Sequence, residues 1–242
     1  MRWALIFVAL LFSALSAHAG CRAVTFRNDG FTVCTFDTTK DKISLFNLDG
    51  GGQPFGGFER LSQDLDGKSQ QLVFAMNAGM FDTSLKPIGL YVENGRQLKK
   101  LNRQNGSGNF ALKPNGVFYV AGNKAGVAES EAFARSGIKA DFATQSGPML
   151  VINGAIHPRL SPGGTSAKVR NGVGMADDHT VVFAISDSFV TFHDFASLFR
   201  EQLNCHNALF LDGSVSSLYA PELGRSDFLT QIGPIVAVTQ PR

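Results

Sequence analysis

The chain has 242 residues, of which 44% are hydrophobic and 17% charged, which places it among ordinary globular proteins and excludes a disordered polypeptide. Its 22 Lys and Arg against 20 Asp and Glu leave a formal charge of only +2. The cations are scattered, so neither a nucleic-acid stripe nor a polybasic membrane patch is expected.

The first stretch, "MRWALIFVALLFSALSAHAG", sets one Arg before an apolar run and ends in Ala17-His18-Ala19, the small-x-small pattern read by signal peptidase. It predicts a signal peptide over 1–19, cleavage before Gly20, and a single exported domain over 20–242. The run is short for a bilayer of about 30 Å, so no stable membrane insertion is expected once the leader is removed. In an oxidising compartment Cys21, Cys34 and Cys205 can form one bridge, and three pairings are open. "CRAVTFRNDGFTVCTF" reads as a hairpin whose arms lie side by side around an Asn-Asp-Gly turn, which favours Cys21 with Cys34.

"KISLFNL" continues the strand pattern, and "GGGQPFGGFERLSQDLDG" sets Phe58, Leu61 and Leu65 at helical spacing. There follow "QLVFAMNAG", "PIGLYVENGRQLKKL", "NGVFYVAGNKAGVA", "GPMLVINGAI", "TVVFAISD" and "NALFLDG", short apolar runs separated by Gly, Asn, Asp and Pro, as strands joined by turns should be. Asn94-Gly95 and Asn153-Gly154 are hairpin signals. The clearest helix is "TFHDFASLFREQL", with Phe195, Leu198, Phe199 and Leu203 on one face and Thr191 with Asp194 as a capping pair. The pattern predicts an α+β fold on a mixed or antiparallel sheet with a few helices.

Familiar signatures are missing. "GSGNFA" fits a dinucleotide string without the strand and helix that would give it meaning, "GSVSS" lacks the second glycine of a nucleophile elbow, and the five histidines show no zinc spacing. What stands out is a set of polar residues, each closing an apolar run beside a glycine: Asn77, Gln145 with Ser146, Arg170 with Asn171, Asp187, and Asp212. Strand ends feeding such turns let short side chains converge on one ligand. Arg170 brings the planar fork suited to phosphate or carboxylate. Asp212 and Asp187 suit acid/base work at a sugar carbon, or would hold a divalent cation through oxygen ligands, although no cofactor is fixed by the sequence. Asn77, Gln145 and Ser146 suit sugar hydroxyls. The competing reading is that each residue only stabilises its own turn.

"NAGMF", "PIGLYVENG", "GNFALKPNGVF", "ATQSGPML", "VRNGVG" and "ALFLDGSVSSLY", in that order, resemble the bacterial branch of the phosphodiester glycosidase family, related to the catalytic domain of the mannose 6-phosphate uncovering enzyme. The family pattern falls on Asn77, Gly79 and Phe81, on Arg170 and Gly174, and on Leu211 to Ser216, with Gly213 kept and Ser214 and Val215 standing where the family has glycine. The resemblance implies a hydrolase acting on a sugar-phosphate diester. In that site Asp212, Arg170 and Asp187 would be catalytic, while Asn77, Gly79, Phe81, Gln145, Ser146, Asn171, Gly213 and Ser216 would contact substrate. Two rivals fit the same residues: a periplasmic glycan-binding or polysaccharide-export accessory protein without turnover, and a metal-dependent phosphodiesterase.

Overall fold

The structure is a computed structural model that describes residues 20–228 and 230–242; the expected signal peptide lies outside the described residues. The first half of the chain supplies β1 (Gly20–Phe26), β2 (Asp29–Asp37), β3 (Lys42–Phe46), α1 (Phe58–Asp66), β4 (Gln70–Asn77), β5 (Tyr91–Glu93), β6 (Arg96–Lys99), β7 (Gly116–Ala121) and β8 (Lys124–Glu129). The second half supplies α2 (Ser130–Ser136), β9 (Phe142–Ser146), β10 (Met149–Ile152), β11 (Ala155–Ile156), β12 (Asn171–Met175), β13 (Thr180–Ser186) and α3 (Phe192–Ser197). It ends with β14 (Asn207–Phe210), β15 (Leu218–Ala220), β16 (Arg225–Ser226) and β17 (Ile235–Pro241).

These strands form three antiparallel sheets. One has seven strands in the order β1-β2-β13-β12-β14-β10-β11, and the others have five each, β16-β15-β4-β17-β3 and β6-β5-β9-β7-β8. The central strands of the seven-stranded sheet are buried on both faces. Along β13, Val181, Phe183 and Ile185 face the other two sheets, while Val182 and Ala184 face α3. That two-sided burial explains why "TVVFAIS" reads as a continuous apolar run rather than an alternating one. The three sheets meet at a phenylalanine cluster, with Phe74 of β4 at 4.9 Å from both Phe36 of β2 and Phe183 of β13, and Phe118 of β7 at 5.9 Å from Phe183. Each such ring contributes about 1.5–3 kcal/mol by leaving water.

The hairpins lie where the turn residues put them. Asn94 and Gly95 (φ 50° and 73°) join β5 to β6, and Asn153 and Gly154 (φ 49° and 81°) join β10 to β11; Asn and Gly adopt these left-handed conformations with least strain. α1 buries Phe58, Leu61 and Leu65 as their spacing requires. The expected long helix after Thr191 is shorter than its pattern. The Thr191 hydroxyl caps it, accepting from the Asp194 amide at 3.1 Å, but after α3 the chain widens into a π-type turn over Leu198–Gln202 that closes with the Leu203 amide on the Leu198 carbonyl. Phe195, Leu198, Phe199 and Leu203 are nevertheless all buried, so the apolar stripe outlasts the α-helical hydrogen bonding. α2, by contrast, carries no apolar stripe and was not expected from the sequence.

β1 and β2 pair with Cys21 directly opposite Cys34, and the two are joined as a disulfide. Cys205 is free and buried, and burial pushes its thiol up to about 12. No helix among the described residues is long and apolar enough to cross a membrane. A bridge across 13 residues restrains the unfolded chain, so Cys34→Ser should cost about 2–3 kcal/mol in denaturant titration. Reductant should lower wild type to the same midpoint and leave the variant unchanged.

Candidate functional site

Antiparallel pairing brings the C-terminal ends of β4, β13 and β14 and the N-terminal ends of β12 and β15 to one edge of the molecule. Asn77, the last residue of β4, is fully buried there and joins two sheets. Its Nδ2 donates to the Asp212 carbonyl (2.8 Å), and its Oδ1 accepts from Asn171 Nδ2 (2.9 Å) and from the Ser217 amide (2.9 Å). Asn171 also donates to the Asn77 carbonyl (3.0 Å), and Ser216 donates to Asn171 Oδ1 (3.3 Å). The turn from Leu211 to Ser217 is thereby fastened to strand ends that belong to different sheets.

Above this network lies a cavity of about 800 Å³ lined by Arg170, Asp187, the Gly213–Ser217 turn and Arg225, with Lys168 and Asp227. Arg170 is 1% exposed. Its Nε donates to the Val190 carbonyl (2.9 Å) and one terminal nitrogen to the Ser166 carbonyl (2.6 Å), while the guanidinium lies 3.5 Å from the centre of the Phe192 ring and 5.5 Å from that of Phe210. Burial pulls its pKa down to about 10, which leaves it charged at neutral pH. Among the described residues no carboxylate pairs with it. Removing a cation from water costs several kcal/mol, of which carbonyl dipoles and a desolvated ring recover only part.

Arg225 was not singled out by the sequence, and its situation is the opposite. It bonds Asp187 at 3.1 Å, Asp227 at 3.1–3.3 Å and the Thr32 hydroxyl at 3.1 Å. Both aspartates lining the cavity are therefore engaged by one cation, and among the described residues neither reaches Arg170.

Asp212 ends the run after β14. Its Oδ1 accepts from the Ser214 amide at 3.1 Å and caps the single 3₁₀ turn Gly213–Val215. Burial raises its pKa above the ordinary carboxylate value against the pull of that hydrogen bond. Gly213 has to be glycine, since a Cβ there would meet the Phe210 ring at 2.5 Å.

The other expected contacts lie elsewhere. Gln145 is 1% exposed with its amide spent inside the protein: Oε1 accepts from the amides of Leu90 and Asn102, and Nε2 donates to the Asn102 carbonyl and the Ser130 hydroxyl. Ser146 is fully buried, with its hydroxyl unpartnered. Gly79 lets the chain pass β9, where a Cβ would come within 2.6 Å of the Gln145 carbonyl, and Phe81 packs over Gly233. None of these four lines the cavity, and neither do Asn77, Asn171 and Asp212, which lie beneath its Gly213–Ser217 wall; of the expected residues, Arg170, Asp187, Gly213 and Ser216 line it. Among the described residues no three His, Cys, Asp or Glu side chains group as metal ligands.

Residues 70–230 match the phosphodiester glycosidase family. The chain belongs to that family. An Escherichia coli relative, the uncharacterized protein YigE, is 40% identical over 185 residues, covering 76% of this chain and 72% of its own. The catalytic domain of zebrafish N-acetylglucosamine-1-phosphodiester alpha-N-acetylglucosaminidase, solved in a form auto-inhibited by its pro-peptide, superimposes with a TM-score of 0.59 at 14% identity, over 90% of this chain and 81% of that one. A hypothetical protein from Synechocystis does so at 0.53 and 14%, over 90% and 61%. Membership supports a glycosidase-type hydrolase, and the matched span contains Asn77, Arg170, Asp187, Asp212 and Arg225.

Because the Asn77 amide serves three partners at once, Asn77→Ala should cost about 2–4 kcal/mol by stranding the Ser217 amide and the Asp212 carbonyl. Asn77→Asp should be no milder, since a carboxylate oxygen would then face that carbonyl. Thermal denaturation of the two variants beside wild type measures both.

Proposed function

We infer that this chain is an exported hydrolase that cleaves the glycosidic bond of a sugar 1-phosphodiester, in the metabolism of cell-envelope glycans or exopolysaccharide. The observation that carries the reading is the buried, charged Arg170, which has no carboxylate partner among the described residues, on the wall of the cavity. A phosphodiester supplies the missing anion, and the guanidinium fork matches two of its oxygens. The Cys21–Cys34 bridge and the apolar leader support export.

In the proposed reaction, water attacks the anomeric carbon and gives its proton to Asp187. The bond from that carbon to the bridging oxygen breaks with its electron pair on oxygen, which takes a proton from Asp212. Free sugar and a phosphomonoester result. Arg170 stabilises charge gathering on the phosphate, and the Asn77–Asn171–Ser216 network holds the turn that carries Asp212. Asp212 suits the role of acid because burial keeps its carboxyl protonated to higher pH than usual. Gln145 is left out of the mechanism because its amide has no free donor or acceptor to offer.

Hydrolysis in heavy-oxygen water separates the alternatives: label in the sugar supports this reading, label in the phosphate means a phosphodiesterase, and label in neither leaves a glycan-binding protein. Asp212→Asn keeps the Ser214 cap but not the proton, so turnover should fall by about a hundredfold or more while the melting midpoint stays near wild type. The protonated form being the donor, wild-type turnover should decline as pH rises through the raised pKa, and this limb should vanish from the residual activity of the variant. Arg170→Lys keeps charge without the fork and should weaken diester binding by about tenfold or more. If both variants keep activity within about threefold of wild type, the assignment is wrong.

A further inference from the structure

Cations that look scattered along the sequence are gathered by the fold at one place away from the cleft. "GRQLKKLNRQ" (95–104) and "AFARSGIKA" (132–140) together carry six Lys and Arg and no acid. They form the two walls of a groove of about 410 Å³, and none of its lining residues lines the cavity that holds Arg170. The floor is apolar: Leu90 is buried, and Leu101, Phe133 and Ile138 are half-buried. Lys100, Arg103 and Lys139 stand exposed around it. Arg103 pairs with Glu131 at 2.9 Å, whereas among the described residues no carboxylate pairs with Lys100 or Lys139.

The groove exists because α2 packs against β7 and β8, with the Phe133 ring 5.3 Å from that of Tyr119 on β7, and leaves the β5 side of the same apolar cluster open. Both walls are held by one residue that the proposed reaction does not use. The buried Gln145 amide accepts from the Asn102 N–H and donates to the Asn102 carbonyl, each at 2.8 Å, and donates to the Ser130 hydroxyl at 3.1 Å. Asn102 lies between Leu101 and Arg103, and Ser130 opens α2, so the groove is fixed before any ligand arrives.

Cations on an edge strand guard against edge-to-edge pairing, and β6 pairs with β5 alone among the described strands, but this accounts only for Arg96 and Lys99. It leaves out the apolar floor and the cations on the α2 side. We propose that the groove docks an acidic segment of another protein, with apolar side chains seated on the floor and carboxylates meeting Lys100 and Lys139. The inference is independent of the hydrolase reading. Charge complementarity selects an anionic partner, and the floor selects one that mixes apolar groups with its charges; a peptide supplies both. A single-stranded nucleic acid needs exposed aromatic faces for its bases, and the one ring here, Phe133, packs against Tyr119. A lipid surface needs several protruding apolar groups, and of the large apolar side chains in these two stretches only Leu98 is more than half-buried residues are, at 48% exposed.

Fluorescence anisotropy with a short labelled peptide alternating Glu with Leu tests the assignment, against peptides alternating Glu with Ser and Lys with Leu. Wild type should bind the Glu-Leu peptide about tenfold or more tightly than either control, and added salt should weaken that binding because both lysines are exposed. Amide resonances of Leu101 and Ile138 should shift on titration, which places the peptide in the groove. Lys100→Glu combined with Lys139→Glu should weaken binding by about tenfold or more and leave the melting midpoint unchanged. Ile138→Ala should weaken it by an independent route should the doubly reversed variant fail to fold. Equal binding of the three peptides, no binding, affinity that survives in both variants, or shifts confined to other parts of the protein overturns the docking site. Tighter binding to phosphatidylglycerol vesicles or to oligothymidylate than to the Glu-Leu peptide, lost on charge reversal, also overturns it and assigns the groove to a membrane or a nucleic acid. Diester hydrolysis is followed separately: it should be the same in wild type and the charge-reversed variant, and if wild type hydrolyses nothing while the peptide binds, the hydrolase reading falls and the docking site stands.

Discussion

The side-chain amide of Asn77 is the joint on which the cleft depends. β4 and β12 belong to different sheets, and the turn after β14 would otherwise be an exposed loop between them. One buried amide, donating once and accepting twice, fixes all three in a single relation. No apolar side chain could do this, because the groups to be satisfied are a carbonyl, an amide N–H and another side-chain amide. Such a network is costly if incomplete and specific if complete. Here every amide atom of Asn77 and Asn171 has a partner, and Gly213 to Ser217 line the cavity while anchored from below.

The cleft's electrostatics follow from the unequal treatment of two arginines. Arg225 lies against two aspartates, so its charge is spent on holding Asp187 and Asp227 in place and on tying β16 to the end of β13. Arg170 is deeper, ringed by carbonyls and by the Phe192 and Phe210 faces, and has no acid within reach among the described residues. An anion about 4 Å from such a cation gains roughly 4 kcal/mol at an effective dielectric constant near 20, against about 1 kcal/mol in water. The cavity lining also carries Lys168 and the Asp187–Arg225–Asp227 cluster among its serines and phenylalanines, so Arg170 is the most buried of its charges and not the sole one.

The architecture was largely legible because its signals are local. Asn-Gly pairs turn hairpins, Phe58, Leu61 and Leu65 share one helical face, and Cys21 and Cys34 fall opposite each other once their strands pair. The cleft was legible only in part. Asn77, Gln145 and Asp187 carry the same signature, a polar residue closing an apolar run, but a strand end can aim its side chain at a neighbouring loop or at the cavity, and no local pattern says which. Gln145 aims at the backbone of Leu90 and Asn102 and acts as a cross-link. Arg225, Asp227 and Phe228 went unnoticed because "LGRSDFLTQ" has neither strand nor helix periodicity. Its one available signal is a large aromatic residue set in an otherwise polar stretch.

Asp212 posed the sharpest alternative, a turn cap or a reacting acid, and the structure shows that the two roles need not exclude each other. The Ser214 amide holds Oδ1 and so fixes the side-chain rotamer, while Asn77 holds the backbone carbonyl of the same residue. A hydrogen bond to the ionised carboxylate lowers its pKa and burial raises it; burial prevails. On the proposed reading the cap would supply position and burial the raised pKa, two properties that a proton donor requires together. A loosely held aspartate in water would have neither. On that reading the capping turn would be the mount for the acid, and capping by itself does not count against its chemistry.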